Sequence, residues 1–207
     1  MFMPKRKAKK KDSVKRKKMS KKLVWYRRNL KRRIPKKGPA IDFIITGGTI
    51  DSYYEGSLDT VVPLKETVIP AYVDTLSLRE KIRFTKVCMK DSRQLTIRDL
   101  KHVVKSIEKS KCRSFIVTHG TYTMPDTARY LEANLKRKNI TIILTGSMIP
   151  LTGFSPSDAP FNLGYAIANV NKLDPGIYVC MNGRIFKPTE VYKLMSKARF
   201  VSIFGEK

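Results

Sequence analysis

Two turns carry hydroxyls where a hydroxyl can act. Thr46-Gly47-Gly48-Thr49-Ile50 and Val117-Thr118-His119-Gly120-Thr121-Tyr122-Thr123-Met124 each follow a short apolar run that breaks abruptly into Gly and Thr. Such a run reads as a buried strand entering a tight turn at its carboxyl end. Ligands of open α/β sheets bind at that end of the strands. A threonine hydroxyl there attacks a carbonyl once a base removes its proton. The neighbouring Gly48 and Gly120 let backbone N–H groups approach and stabilise the oxyanion that forms. Taken alone, a turn threonine more often bonds its local backbone, so the surrounding sequence must decide between the two readings.

The elements that would hold these turns follow from the apolar pattern. Strand candidates are Ile41–Thr46, Phe84–Met89, Ser114–His119, Thr141–Thr145 and Gly176–Met181. Between them lie helix-like stretches at Val68–Leu76, Thr96–Lys109, Met124–Lys138, Ala159–Asn171 and Pro188–Ser196. Leu100, Val103, Val104 and Ile107 recur at helical spacing among lysines. Pro125 and Asp126 suit a first helical turn. Strands alternating with helices imply a parallel sheet covered on both faces. The expected fold class is therefore α/β: a doubly wound, Rossmann-like parallel sheet of about five core strands, in a single domain. The Gly pair after the first strand does not make a dinucleotide site, because G-x-G-x-x-G is absent and Gly48 leads into Thr49-Ile50-Asp51. A phosphate-cradling G-x-x-x-x-G-K-[ST] is absent as well.

Five segments taken in order resemble the L-asparaginase family, the bacterial type I/II amidohydrolases. They are Thr-Gly-Gly-Thr-Ile at 46–50, Lys-Asp-Ser at 90–92, His-Gly-Thr-Tyr-Thr-Met at 119–124, Leu-Thr-Gly-Ser-Met-Ile-Pro at 144–150 and Ser-Asp-Ala-Pro-Phe-Asn-Leu at 157–163. The resemblance spans about residues 40–207 and covers the family's amino-terminal domain. It implies hydrolysis of a side-chain amide, in L-asparagine or a related small amide, through a threonine-bound acyl intermediate, with no metal or organic cofactor. Thr49 takes the place of the nucleophile. Thr121 takes that of the second threonine, which positions or activates the attacking water or hydroxyl. Counting from Val179-Cys180-Met181-Asn182, Lys193 takes the place of the base, a role that needs a lowered lysine pKa. Ser92 matches the residue that binds the substrate α-carboxylate, beside Asp91, with N–H donors around Gly48, Gly120 and Thr121. Tyr54, or its neighbour Tyr53, stands where the family places a mobile tyrosine.

Two departures are visible. The family pattern has Asp where this chain has Tyr122. That carboxylate binds the substrate α-ammonium and helps orient the lysine; a neutral Tyr cannot pair with an ammonium, although its hydroxyl could bond Lys193. Asp91 or Asp51 is the candidate to compensate, and an amide or lactam without a free α-amino group is the implied alternative substrate. Second, the sequence stops at Lys207, where the family's carboxyl-terminal domain would begin; without it the site is expected to be open and wet. The resemblance also implies a homo-oligomer.

Charge divides the chain. Residues 1–38 hold 19 Lys or Arg against the single acid Asp12. With few apolar residues beyond Leu23-Val24-Trp25-Tyr26, this tail is expected to be disordered when free. Ile34–Pro39 reads as the linker into a domain at 39–207. The basic run over residues 5–37 suits nonspecific nucleic acid, with Trp25 and Tyr26 able to stack on bases; a merely solvated extension is the plainer reading. No run of 18 apolar residues exists to span a membrane. Cys88, Cys112 and Cys180 fit neither a disulfide framework nor a metal site, and two histidines are too few for a His-rich one. The expected setting is cytoplasmic. Two other functions stay open beside the amidohydrolase: a catalytically impaired module that binds RNA or a ribonucleoprotein through the tail, and an amino-acid sensor. If the tail engages phosphates, the full-length chain binds duplex and single-stranded nucleic acid with little sequence preference, and affinity falls steeply between low and physiological salt. A flat salt response counts against that expectation.

Overall fold

The computed structural model describes residues 40–205. The expected basic tail and its linker lie outside the described residues. In chain order the strands are β1 (Ala40–Gly47), β2 (Ser52–Glu55), β3 (Thr60–Pro63), β4 (Lys81–Lys90), β5 (Ser114–Thr118), β6 (Thr141–Thr145), β7 (Gly176–Met181), β8 (Arg184–Phe186), β9 (Val191–Leu194) and β10 (Arg199–Ser202). The α-helices are α1 (Ile69–Thr75), α2 (Ile97–Lys109), α3 (Met124–Asn134) and α4 (Ala159–Asn169).

The five expected strands form one sheet in the order β4-β1-β5-β6-β7, all parallel, and β8 adds an antiparallel edge beside β7. Their side chains alternate between two cores, as the period of two requires. Ile44, Phe115, Val117, Ile142, Leu144, Val179 and Met181 face one way and pack with Val103 and Ile107 of α2 and Met124, Ala128 and Leu131 of α3. Phe43, Ile45, Ile116, Ile143 and Cys180 face the other and pack with Ile69 and Val73 of α1 and Leu163 and Ala166 of α4. Two covered faces explain why these strands read as unbroken apolar runs rather than as an alternation.

Helix starts follow local chemistry. Thr96 caps α2 in a reciprocal box with Asp99, and Pro stands in the first turn of α1, α3 and α4. Two expectations need correction. The helix expected over Met124–Lys138 stops at Asn134 because tertiary bonds capture the next residues: the Lys136 and Arg137 N–H groups donate to Glu108, at 2.8 and 3.2 Å. The Arg137 guanidinium then satisfies the carbonyls of Ile107 in the last turn of α2 and of Ser110 and Cys112 just beyond it. The helix expected over Pro188–Ser196 is instead a hairpin strand, β9, paired antiparallel with β10 and anchored by fully buried Val191. The segment after Thr49 that carries Tyr53 and Tyr54 forms a second hairpin, β2–β3.

Glycines let the strand ends meet. A Cβ on Gly47 would lie 2.5 Å from the Lys90 nitrogen, on Gly48 2.3 Å from the Gly120 nitrogen, and on Gly120 2.7 Å from the Ser92 Cβ. Gly48 also takes φ +84°, which a side chain adopts only under strain. Gly48→Ala should therefore lower the unfolding free energy by about 2–5 kcal/mol. Gly164→Ala, on an exposed helical position with open space around it, should leave stability unchanged or raise it by up to about 1 kcal/mol. Denaturant midpoints measure both. Equal stability of Gly48→Ala and the parent protein would mean that the backbone contact is not what holds the turns.

Candidate active site

The carboxyl ends of β1, β4 and β5 converge through these glycines. The turn after β1 hydrogen-bonds to the end of β4 through Gly48 N–H to the Lys90 carbonyl at 2.9 Å. It abuts the turn after β5 where Gly48 meets Gly120. Thr49, Ser92 and Thr121, from three separate strand ends, are thus brought to one face. Thr49 opens a short 3-10 turn and is partly exposed, and among the described residues its hydroxyl has no hydrogen-bond partner. Ser92 and Thr121 are buried, at 4 % and 6 % exposure.

His119 fixes the second turn. It is fully buried, its Nδ1 lies 2.7 Å from the Gly120 carbonyl, and its Nε2 lies 2.9 Å from the Thr127 hydroxyl. Burial pushes its pKa down to about 4, so it stays neutral near pH 7. With Nδ1–H donating to the carbonyl, Nε2 accepts from Thr127. Thr123 ties the same turn to the end of β4 by donating to the Ser92 carbonyl at 2.9 Å.

Lys193 arrives from the β9–β10 hairpin, and its Nζ lies 2.7 Å from Thr121 Oγ1. The hairpin is held from several sides. Arg129 of α3 donates to the Val191 carbonyl at 2.8 Å. The Asn182 carboxamide oxygen accepts from the Phe200 N–H, and the Asn182 N–H donates to Asn162 of α4. Asn162 also donates to the Gly146 carbonyl, and Asp158 accepts from the N–H groups of Met148 and Ile149. The segments 144–150 and 157–163 therefore build the scaffold that sets the turn after β6 and, through Asn162 and Asn182, the lysine hairpin. Burial lowers the Lys193 pKa from its ordinary 10.5, the positive charge of Arg93 lowers it further, and Asp91 opposes both.

Tyr122 is 51 % exposed. Its ring centroid lies 5.3 Å from Lys193 Nζ and 5.2 Å from Arg93 Cζ. The contact to Lys193 is thus made by the ring, where the sequence had allowed a hydroxyl bond. Asp91 does not stand free beside Ser92: it accepts from the Arg93 N–H at 2.8 Å, from Nε at 3.0 Å and from Nη2 at 3.1 Å. These bonds hold its pKa below the ordinary carboxylate value. Asp51, the other candidate compensating acid, is fully buried and accepts from Thr67 and the Val68 N–H. It fixes the segment before α1 instead of facing a ligand. Tyr54 sits on β2, half exposed, and bonds Asp59 within its own hairpin. Arg93 was not singled out in the sequence, and nothing there marks it among so many cations. Among the described residues no three His, Cys, Asp or Glu side chains gather to hold a metal ion.

This geometry has known counterparts. Residues 40–203 match the family profile of the asparaginase N-terminal domain. The chain is 28% identical over 171 residues to L-asparaginase 2 of Escherichia coli, covering 75% of this chain and 46% of that protein. It is 27% identical over 169 residues to the probable periplasmic L-asparaginase of Haemophilus influenzae, covering 77% and 48%. The structure of the thermostable L-asparaginase from Thermococcus kodakarensis superposes with a TM-score of 0.67 at 29% identity, covering 79% of this chain and 51% of that one. The chain thus spans about half the length of the relatives it matches. By its sequence profile, its sheet order and the convergence of its threonine turns, the chain belongs to the asparaginase family, of which it matches the N-terminal domain.

Proposed function

We propose that the chain hydrolyses a small side-chain amide, L-asparagine or a close relative, with Thr49 as nucleophile and Thr121–Lys193 as the proton-transfer pair. The observation that carries this reading is the 2.7 Å contact between Lys193 Nζ and Thr121 Oγ1, made by a partly buried lysine whose pKa is lowered. A neutral amine at that distance takes the Thr121 hydroxyl proton, and through that hydroxyl a proton from a further nucleophile.

Thr49 Oγ adds to the amide carbonyl while Thr121 and Lys193 take up its proton. The tetrahedral oxyanion is stabilised by backbone N–H groups of the glycine turns. The C–N bond breaks and the nitrogen leaves as ammonia with that proton, leaving an ester on Thr49. Water, deprotonated through Thr121 to Lys193, adds to the ester; the acid departs and the proton returns to Thr49 Oγ. In this reading the buried Ser92 hydroxyl binds a substrate carboxylate. The reading includes a homo-oligomer, and the free cysteines Cys88, Cys112 and Cys180 suit a reducing compartment such as the cytoplasm. Among the described residues no helix is long and apolar enough to cross a membrane.

Ammonia release from a panel of small amides tests the assignment. Thr49→Ala, Thr121→Ala and Lys193→Met should each lower kcat on the order of a thousandfold or more, with melting curves close to the parent's. Retained turnover in any one removes that residue from the reaction.

The pH profile gives a second test. A base works in its neutral form, so the rate rises with pH through the Lys193 pKa, and the acid limb lies below the ordinary lysine value of 10.5. Around Lys193 stand Thr121, the Tyr122 ring, Arg93 and Asp91. Arg93→Gln removes a cation that lowers the pKa and unmasks an acid that raises it. Both changes move the limb to higher pH. An unmoved limb would mean that the titrating group is not Lys193.

A further inference from the structure

Among the described residues the groups around Thr121 are the Lys193 amine, the Tyr122 ring and the Arg93 guanidinium, and the nearby acid, Asp91, is engaged by Arg93. Next to the reacting Thr121, the residue facing outward is Tyr122, whose ring carries Lys193 on one contact and Arg93 on another. Arg93 engages both oxygens of Asp91, the carboxylate adjoining the buried Ser92. Asp51 is taken by Thr67 and Val68 in the interior.

We propose that the site selects amides that carry a carboxylate and no neighbouring ammonium, with Tyr122 and Arg93 as the specificity-determining residues; the inference rests on the amidase reading above. A ligand ammonium beside Thr121 would meet the Arg93 cation, the Lys193 amine and an aromatic ring already in contact with both, while the nearby Asp91 carboxylate is engaged by Arg93. It would also lose its hydration with no carboxylate in exchange. A methylene at the same position meets the half-exposed Tyr122 ring and gives up no hydration. The ligand carboxylate gains instead: the buried Ser92 hydroxyl donates to it, the Lys193 amine is a further donor, and the Arg93 charge has the favourable sign. The class of ligand is a dicarboxylate monoamide, asparagine with hydrogen in place of the amino group, or an amide whose amino group is acylated.

The test separates recognition from turnover. Calorimetry on the full-length protein compares succinate with L-aspartate, the acids that the two kinds of amide would yield. Succinate should bind at least tenfold more tightly. Tyr122→Asp should shrink or reverse the ratio, because it supplies a carboxylate to the ammonium. Arg93→Gln should also shrink it, by freeing Asp91. Tyr122→Phe should leave it unchanged, since the ring and not the hydroxyl makes the contacts. A change in folding alone would move both ligands together and leave the ratio where it was. Aspartate binding as tightly as succinate, binding of neither, or a ratio unmoved by Tyr122→Asp each overturns the inference. Turnover of succinamate against L-asparagine is then measured on the same proteins. Faster hydrolysis of succinamate supports the inference and the amidase reading together. Faster hydrolysis of L-asparagine overturns the inference and keeps the amidase reading. Tighter succinate binding with no turnover of either amide supports the selectivity and overturns the amidase reading.

Discussion

The site depends on backbone touching backbone between the turn after β1 and the turn after β5. Gly48 and Gly120 meet so closely that a single added carbon on Gly48 would lie 2.3 Å from the facing nitrogen. Side chains cannot hold strand ends at that spacing; only their absence can. The same condition recurs around the rim: Gly47 against Lys90, Gly120 against Ser92, and Gly146, whose Cβ would lie 2.2 Å from the His119 carbonyl oxygen. Four close approaches draw the ends of β1, β4, β5 and β6 together, and the residue beside each contact is free to carry chemistry. Thr49 follows Gly48 and Thr121 follows Gly120, so the two hydroxyls inherit positions fixed by the glycines before them.

Electrostatics follow from that packing. His119 is buried under the same turn and is kept neutral by burial, its pKa near 4. It therefore adds no positive charge beside Thr121 and serves as a bracket between the Gly120 carbonyl and the Thr127 hydroxyl. Lys193 is the opposite case, since the proposed role of a base requires that it be able to lose its charge. It reaches the turn on a hairpin whose own position is set by fully buried Val191, by Arg129 and by the Asn162–Asn182 relay. Separate elements thus hold the threonine and the lysine, and their 2.7 Å contact is a property of the whole domain.

What could be read from sequence follows from which interactions are local. β5 and β6 are covered on both faces and announce themselves as apolar runs. Gly48 and Gly120 stand out because a turn after a buried strand is where glycine has a purpose. Lys193 is reachable by counting from the end of β7, yet its element reads as a helix in sequence and is a strand in the structure. In Pro188–Ser196 the inward position Val191 is a lone anchor, and the partner strand β10 begins only at Arg199, so helical and extended readings look alike over so short a stretch. The end of α3 was misplaced for a similar reason: Glu108 and Arg137, which stop the helix, act across 25 to 30 residues of chain. Arg93 was invisible because its significance lies in two contacts, with Asp91 and with the Tyr122 ring, and only the first is local.

Tyr122 bears on more than one contact. A carboxylate in that place would sit beside Lys193 and raise its pKa, working against the neutral form a base requires. An aromatic ring holds the ammonium by its quadrupole, a weaker attraction than a full charge at this exposure. Partial burial and the Arg93 cation then push the Lys193 pKa down with less to oppose them. On the proposed reading, a ring at this position both withholds a partner from a ligand ammonium and favours the deprotonated lysine, so the two proposed properties are coupled through Tyr122. Because Tyr122 is 51 % exposed, water still screens much of this field. Any surface that covered Tyr122 and Lys193, whether a ligand or a second polypeptide, would desolvate the lysine further and move its pKa in the direction the proposed chemistry requires.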